Sequence, residues 1–448
     1  MSKNYIDRRR FLAATATAAA VTIVPREVLG GPGHTPPGEK LNIAGIGVGG
    51  MGKSNLRQLE SENIVALCDV DHEYAAKTFE RYPKAKIYTD FRKMLDKEKD
   101  IDAVVIATPD HTHAVISMEA MRRGKHVYCQ KPLTHDVYES RMLAKAAQET
   151  GVTTQMGIQG HSGEGIRLIC EWIWDGAIGE VREVDAWCSL SYYPFGHAGW
   201  SSKWSRRPKE TPPVPSTLDW DLWLGPAPER PYHPAYHPAV WRCWWDFGCG
   251  MMGDRGAHTL DPLFSALKLG HPRSVDATSL DLNPDTHPVA SIVTYRFPQR
   301  DNMPPVKLTW YEGVRPPRPI ELQDGRRMGH TEGGVLFKGS KGKLVAGVYG
   351  EGPRLIPESR MKAYKKPKKT IPRVKDSHEQ DWVRACKAGR AAGADFEYSG
   401  LLTEICLLGN VAKRVDSRIE WDGVRMKVTN LPEANKYIRT KYREGWTL

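Results

Sequence analysis

The sequence predicts an α/β fold whose N-terminal half is a parallel, doubly wound sheet. Three observations carry that prediction. Residues 41–46 (LNIAGI) run without a break into Gly47-Val48-Gly49-Gly50-Met51-Gly52 and then into a helical stretch from about Lys53. A second strand-like run, residues 64–68, ends in Asp69, and a third, residues 102–108 (DAVVIAT), is almost wholly apolar. Continuous apolar strands of this kind belong to sheets covered by helices on both faces.

The chain begins with a segment that does not belong to the fold. Arg8-Arg9-Arg10-Phe11-Leu12 leads into a mild apolar run at 13–25 with small residues near its end. A basic start, a short apolar stretch and paired arginines read as a twin-arginine export signal over residues 1–30. This predicts export of the folded protein by the twin-arginine machinery to the periplasm or another extracytoplasmic space. Residues 31–40, rich in Gly and Pro, are a linker. A dinucleotide-binding domain is expected at 41–155 and a second domain at 156–448. No apolar run after the leader approaches the roughly 20 residues needed to cross a bilayer.

Each glycine of the turn has a predicted task. Gly47 permits the tight turn, Gly49 lets the backbone approach a pyrophosphate, and Gly52 lets the helix pack closely on the strand. Gly50 and Met51 complete the turn as candidate cofactor contacts, and the free N–H groups of the helix that follows suit phosphate. An overlapping register through Gly45, Gly47 and Gly50 is disfavoured, because Gly45 and Ile46 continue the strand. Asp69 lies 22 residues past Gly47, near the spacing of an acid on an adenosine ribose. No arginine adjoins it to take a 2′-phosphate, so NAD is favoured over NADP. The third strand ends in Thr108-Pro109-Asp110-His111-Thr112-His113. Strand ends on this edge face the ligand crevice, so Thr108, Pro109 and His113 are candidate cofactor contacts. A further strand at 126–129 delivers Gln130-Lys131-Pro132.

Composition narrows the function classes. The formal charge is +11 over 448 residues, and +8 once the leader's five basic and two acidic side chains are set aside. With no nucleic-acid motif beside it, this charge does not point to a nucleic-acid partner. The eight cysteines are scattered, with no CxxC pair or zinc-like spacing, and are expected to be buried thiols. No metal site is expected.

Taken together, ATPDHTHA (107–114), GKHVYCQKPLT (124–134) and GCGMMGDRGAHTLD (248–261) resemble the Gfo/Idh/MocA oxidoreductases. Residues 419–448, ending YREGWTL, resemble a subgroup of exported members. The resemblance implies an N-terminal Rossmann domain. It also implies a C-terminal α/β domain whose open, mostly antiparallel sheet lines the substrate pocket and often joins subunits into a dimer or tetramer. It places Gln130, Lys131, Gln155, Gln159 and His161 near nicotinamide and substrate. One departure is Gln130, where the family usually carries Glu.

Hydride transfer from a carbinol requires a base for the hydroxyl proton and a donor for the developing oxyanion. Lys131, at a strand end, is the candidate for polarising the hydroxyl. Asp254 and His258 are four residues apart, which puts them on one face of a helix. His258 is the candidate proton acceptor and Asp254 its orienting partner or a substrate ligand.

Eight of the fourteen tryptophans fall between Trp187 and Trp245 in a Pro-rich stretch. Aromatic faces of this kind stack on pyranose rings, so Trp200, Trp204, Trp244 and Trp245 are candidate substrate contacts, with His161 and Arg242. The expectation is an exported, NAD-dependent oxidoreductase acting on a sugar with a tightly held cofactor. A redox-neutral glycosidase working by oxidation, elimination and reduction would use the same residues. A non-catalytic sugar- or cofactor-binding module is the alternative of another class.

Overall fold

Two sheets carry the molecule. The structure, a computed structural model, describes residues 39–193, 200–323 and 325–448. The leader and nearly all of the linker lie outside the described residues.

The first sheet is six-stranded and wholly parallel. Its strands are β1 (Asn42–Ile46), β2 (Asn63–Cys68), β3 (Lys86–Tyr88), β4 (Ala103–Ile106), β5 (His126–Gln130) and β6 (Thr154–Gly157), in the order β3-β2-β1-β4-β5-β6. The order reverses between β1 and β4, which opens the crevice where ligands bind in such sheets. Its helices are α1 (Met51–Gln58), α2 (His72–Arg81), α3 (Phe91–Lys97), α4 (His113–Arg122) and α5 (Val137–Thr150). Helix α1 begins two residues earlier than the sequence suggests, directly on the glycine run. Helix α5 opens on a reciprocal cap, in which Asp136 accepts from the Glu139 amide and Glu139 from the Asp136 amide.

The second sheet is nine-stranded and mostly antiparallel. Its central strands are β7 (Val181–Cys188), β8 (Ser274–Leu280), β9 (Ala290–Phe297), β10 (Val306–Glu312) and β11 (Gly333–Gly339). Only the β7–β10 pairing is parallel. Between β7 and β8 run α7 (Trp220–Leu224), which follows α6 (Glu164–Trp174), and a long, largely irregular aromatic segment. A π-helical turn, Met252–Gly256, then leads into α8 (Ala257–Ala266).

The helices α10 (His378–Ala388) and α11 (Phe396–Val415), after the short α9 (Glu358–Ala363), fasten the sheets together. Phe396 N donates to Thr154 Oγ1 on β6 at 3.0 Å, and Arg141 of α5 pairs with Glu404 of α11. On its other side α11 places the fully buried Lys413 against Glu312 of β10 at 2.9 Å. Residues 42–448 accordingly form one compact unit. All eight cysteines are buried free thiols.

Candidate active site

The glycine turn is built as its sequence requires. Gly47 has φ +77, and a Cβ there would strike the backbone of Thr108 at 2.7 Å. A Cβ on Gly52 would come within 2.2 Å of Gly47 O, so the helix lies tight against the turn. Gly49 differs from expectation. The space its side chain would take is filled by the ring of Tyr74, 2.2 Å from the ideal Cβ. No side chain caps α1, which leaves its first amides for an anion.

Asp69 is buried and turned inward. Its Oδ2 accepts from Val48 N at 2.8 Å and Gly49 N at 3.1 Å, and its Oδ1 accepts from Asp71 N at 3.0 Å. The carboxylate therefore holds the shape of the turn. Its remaining lone pair is what stays for a ribose hydroxyl.

From the turn a cavity of about 510 Å³ runs along the carboxyl edge of the sheet to Gln130 and Lys131. Gly47, Gly49, Gly50, Met51, Asp69, Thr108, Pro109 and His113 line it too, as do Trp200 and Arg242. An uncapped helix start, a glycine turn with no room for side chains and an elongated cavity fit a dinucleotide.

At the far end of this cavity three groups converge on one carboxylate. Lys131 Nζ pairs with Asp254 Oδ1 and also donates to the Asp254 carbonyl at 3.1 Å. Tyr192 OH donates to Asp254 Oδ2 at 2.6 Å, and Arg242 Nε stands 4.0 Å from Oδ1. Burial alone would raise the Asp254 carboxyl, but Lys131 and Arg242 outweigh it and hold the group ionised far below its usual range. Burial lowers the Lys131 ammonium, with Asp254 working against that shift. The Arg242 guanidinium is clamped between Trp200 and Trp241, 4.5 and 4.2 Å from their ring centres.

His258 is placed otherwise than its spacing implied. Asp254 sits inside the π-helical turn and His258 in the helix after it, and no hydrogen bond joins the two among the described residues. His258 lies outside the lining of the cavity. It is buried edge-on to Tyr349, and its Nδ1 has no partner among the described residues. Burial drives its pKa well below the usual value, so the ring is neutral.

The other candidates divide between cavity, lattice and core. His113 reaches Pro132 O at 2.8 Å and Thr108 O at 2.9 Å, and its neighbour His111 bridges Phe247 O and Trp223 O in the same manner. Burial lowers both imidazoles to about 4. Gln130 and Gln159 belong to a buried lattice. Gln130 donates to Asn55, Asn55 to Glu379 of α10, Tyr128 to the same carboxylate, and Gln159 to Tyr128. Gln155 donates to His378 O at 2.7 Å. His161 pairs with Asp261 at 2.9 Å.

Trp244 is fully buried with its indole on Ala235 O, and Trp245 is anchored on Asn283 O. Both therefore hold the aromatic segment in place and do not wall the cavity. Trp204 sits edge-on to His233, also outside the cavity lining. No cluster of three or more His, Cys, Asp or Glu suited to a metal occurs among the described residues.

Sequence reasoning missed three members of the site. Asp110 lines the cavity, accepts from Cys249 N at 2.9 Å, and is raised by burial to about 7. Tyr192 and Tyr74 were hidden among other aromatics. Only the position of Asp110, at a strand end just before the two histidines His111 and His113, gave a usable signal.

Comparison with known proteins follows the same division. Residues 41–158 match a family described as an oxidoreductase family with an NAD-binding Rossmann fold, and residues 194–448 match its C-terminal alpha/beta domain. A levoglucosan dehydrogenase of Pseudarthrobacter phenanthrenivorans is 29% identical over 156 residues, 32% of this chain and 39% of that enzyme. A glycosyl hydrolase family 109 protein of a Shewanella species is 29% identical over 190 residues, 39% of this chain and 41% of that protein. The chain thus spans about two fifths of the length of these curated relatives. The WlbA dehydrogenase from Bordetella pertussis, solved with NADH and UDP-GlcNAcA, superposes with a TM-score of 0.60. That match has 17% identity and covers 86% of this chain and 99% of the other, a likeness of fold.

Proposed function

The chain belongs to the Gfo/Idh/MocA oxidoreductase family, and from that premise we propose that it transfers hydride between a tightly held NAD and a carbohydrate hydroxyl. The observation that carries this reading is the buried Lys131–Asp254 pair, whose lysine lines the same cavity as the glycine turn.

Bound NAD supplies the hydride acceptor or donor at its nicotinamide ring. Everything else falls to the chain. Of the three N–H groups of Lys131, two are spent on Asp254, which leaves one to donate to a substrate oxygen. Asp254 stays ionised and fixes the ammonium in direction, itself held by Tyr192 and Arg242. In the oxidative direction the carbinol C–H leaves as hydride and the hydroxyl proton goes to a base. Lys131, whose ammonium form burial disfavours, takes that proton as the neutral amine, with its two N–H groups on Asp254 and its lone pair towards the hydroxyl. In the reductive direction each transfer runs backwards. Arg242, held against the rings of Trp200 and Trp241, lines the same cavity and suits a polar or anionic substituent on the sugar.

The second reading is the redox-neutral glycosidase, favoured by the relative in glycosyl hydrolase family 109. The transient ketone would acidify the neighbouring C–H, a glycosidic group would be eliminated, and the hydride would return. Denaturing the purified protein and assaying the supernatant tests the cofactor, with NAD(H) expected in the supernatant. Protein that is empty and also fails to bind added NAD would refute both readings. A sugar screen then separates them. Net NADH from a free sugar means dehydrogenase, and cleavage of an aryl glycoside without net NADH means glycosidase.

Export belongs to this proposal as well, and rests on the paired arginines of the leader. Because no free nicotinamide pool exists outside the cytoplasm, an exported member must carry its cofactor with it. Arg8→Lys with Arg9→Lys should retain the protein in the cytoplasm with its activity intact. Undiminished export of that variant in cell fractionation would count against the assignment.

A further inference from the structure

The cavity has one wall that no Rossmann motif supplies. Trp446, third from the C-terminus, lines the same space as Gly47 and Asp69, about 400 residues earlier in the chain. Its ring lies beside Phe91, with centroids 6.3 Å apart, and the Arg92 guanidinium stands 4.8 Å from it. Phe91 and Arg92 follow β3, on the side of the sheet where β2 delivers Asp69. Lys131 leaves β5, on the other side. A dinucleotide on such a sheet places its adenosine on the β2 side, so Trp446 stands at the adenosine end.

The tail that carries Trp446 is anchored at every step. Tyr138 N donates to Ile438 O at 3.0 Å, Thr440 N to Asp136 Oδ2 at 2.7 Å, and Tyr442 OH to Glu139 at 2.5 Å. The two carboxylates are those that cap α5. Arg443 then ties the tail to α7, donating to the Asp221 side chain at 2.6 Å, the Asp221 carbonyl at 2.7 Å and the Gly225 carbonyl at 2.5 Å. Helix α7 in turn gives Leu222 and Trp223 to the same cavity. A tail held this firmly, ending with an indole in a cavity, is built to present that indole.

We propose that residues 436–448 form a strap that completes the adenosine subsite, with Trp446 as the aromatic face on which the adenine stacks. The inference rests on the reading of the cavity as an NAD site and adds to it where the grip on the cofactor lies. Stacking of a base on an aromatic side chain is independent of base-edge hydrogen bonding, and its loss weakens binding by about tenfold or more.

The test is calorimetric titration of the full chain, stripped of nucleotide, with NAD, ADP-ribose and nicotinamide mononucleotide. Trp446→Ala and Trp446→Leu should each weaken NAD and ADP-ribose by about tenfold or more. Trp446→Phe should stay within about threefold of wild type. Nicotinamide mononucleotide, which has no adenine, should bind all four proteins alike. NAD bound by Trp446→Ala and Trp446→Leu as tightly as by wild type would overturn the strap and leave the cofactor reading standing. Parallel loss of nicotinamide mononucleotide would also overturn it, because the damage would then be general. A wild type that binds none of the three ligands would sink the cofactor reading and the strap with it.

Discussion

The two ends of the cavity are made of opposite materials. At the lysine end the wall is made of buried ionisable groups, Lys131, Arg242 and Asp110, backed by Asp254 within one set of electrostatic interactions. At the adenosine end it is largely apolar and aromatic, with Phe91, Leu222, Trp223 and Trp446. The first kind of wall depends on protonation and on direction, and fails abruptly when one partner is lost. The second depends on contact area, and weakens by degrees. On the proposed reading one end serves chemistry and the other retention, so substitutions at the two ends should fall on different measured quantities.

The sharpest break comes from Lys131→Ala. Turnover on a sugar that the wild type handles should fall roughly a hundredfold or more, the usual size of a general acid–base contribution. The NAD dissociation constant should stay within about threefold, since the turn after β1 and Asp69 after β2, which would hold the phosphates and ribose, lie away from Lys131. Lys131→Ala also strips a buried carboxylate of its main partner, which costs about 3–5 kcal/mol of stability. Adding Asp254→Asn should recover part of the melting temperature but none of the turnover. NAD affinity falling in step with turnover would erase the distinction between the ends.

A pH series sharpens it next. Burial raises Asp110 to about 7, against roughly 3.9 in an unfolded chain. Between those values the native state keeps a proton that the unfolded state has released. Stability on this account falls as pH rises from about 4 to 7, by up to about 1.4 kcal/mol per unit, and the penalty is complete above 7. His111 and His113 run the other way. Burial lowers both to about 4, so their contribution is whole above about 6.5 and is lost as pH falls towards 4. Asp110→Asn keeps an acceptor for Cys249 N and removes only the first slope. The wild-type melting temperature minus that of Asp110→Asn should therefore decline from pH 4 to 7 and then level off. A flat difference would place Asp110 outside this account.

The smallest of the three effects belongs to the other end. Asp69→Ala releases three backbone amides that shape the glycine turn. NAD affinity should weaken by an amount on the order of 1–3 kcal/mol, with turnover at saturating NAD close to wild type.

What the sequence made legible was local. The passage from strand to glycine turn to helix, the acid after β2 and the lysine after β5 each announce themselves within a few residues. The partnerships did not. Lys131 meets a carboxylate 123 positions away, and Gln130 joins a lattice that reaches Glu379 through Asn55. Spacing even misled once. Asp254 and His258 stand where an α-helix would put them on one face, but the π-helical turn at Met252–Gly256 re-aims the first towards Lys131. The cluster of tryptophans announced aromatic walls, yet gave no means of telling Trp200, which reaches the cavity, from Trp244, which fills the core.

The buried cysteines have a consequence of their own. Burial holds each of the eight thiols protonated, with Cys170, Cys188, Cys243, Cys386 and Cys406 raised to about 12. A protonated thiol with little solvent contact alkylates and exchanges with disulfides only slowly. The folded chain should therefore stay silent towards a thiol reagent and resist air oxidation for as long as it stays folded. Each label that does appear records one opening event. Cys68 and Cys129 report on the parallel sheet, Cys188 on the antiparallel one, and Cys386 and Cys406 on the helices that join them, so a labelling time course read by peptide mapping times the opening of each layer separately.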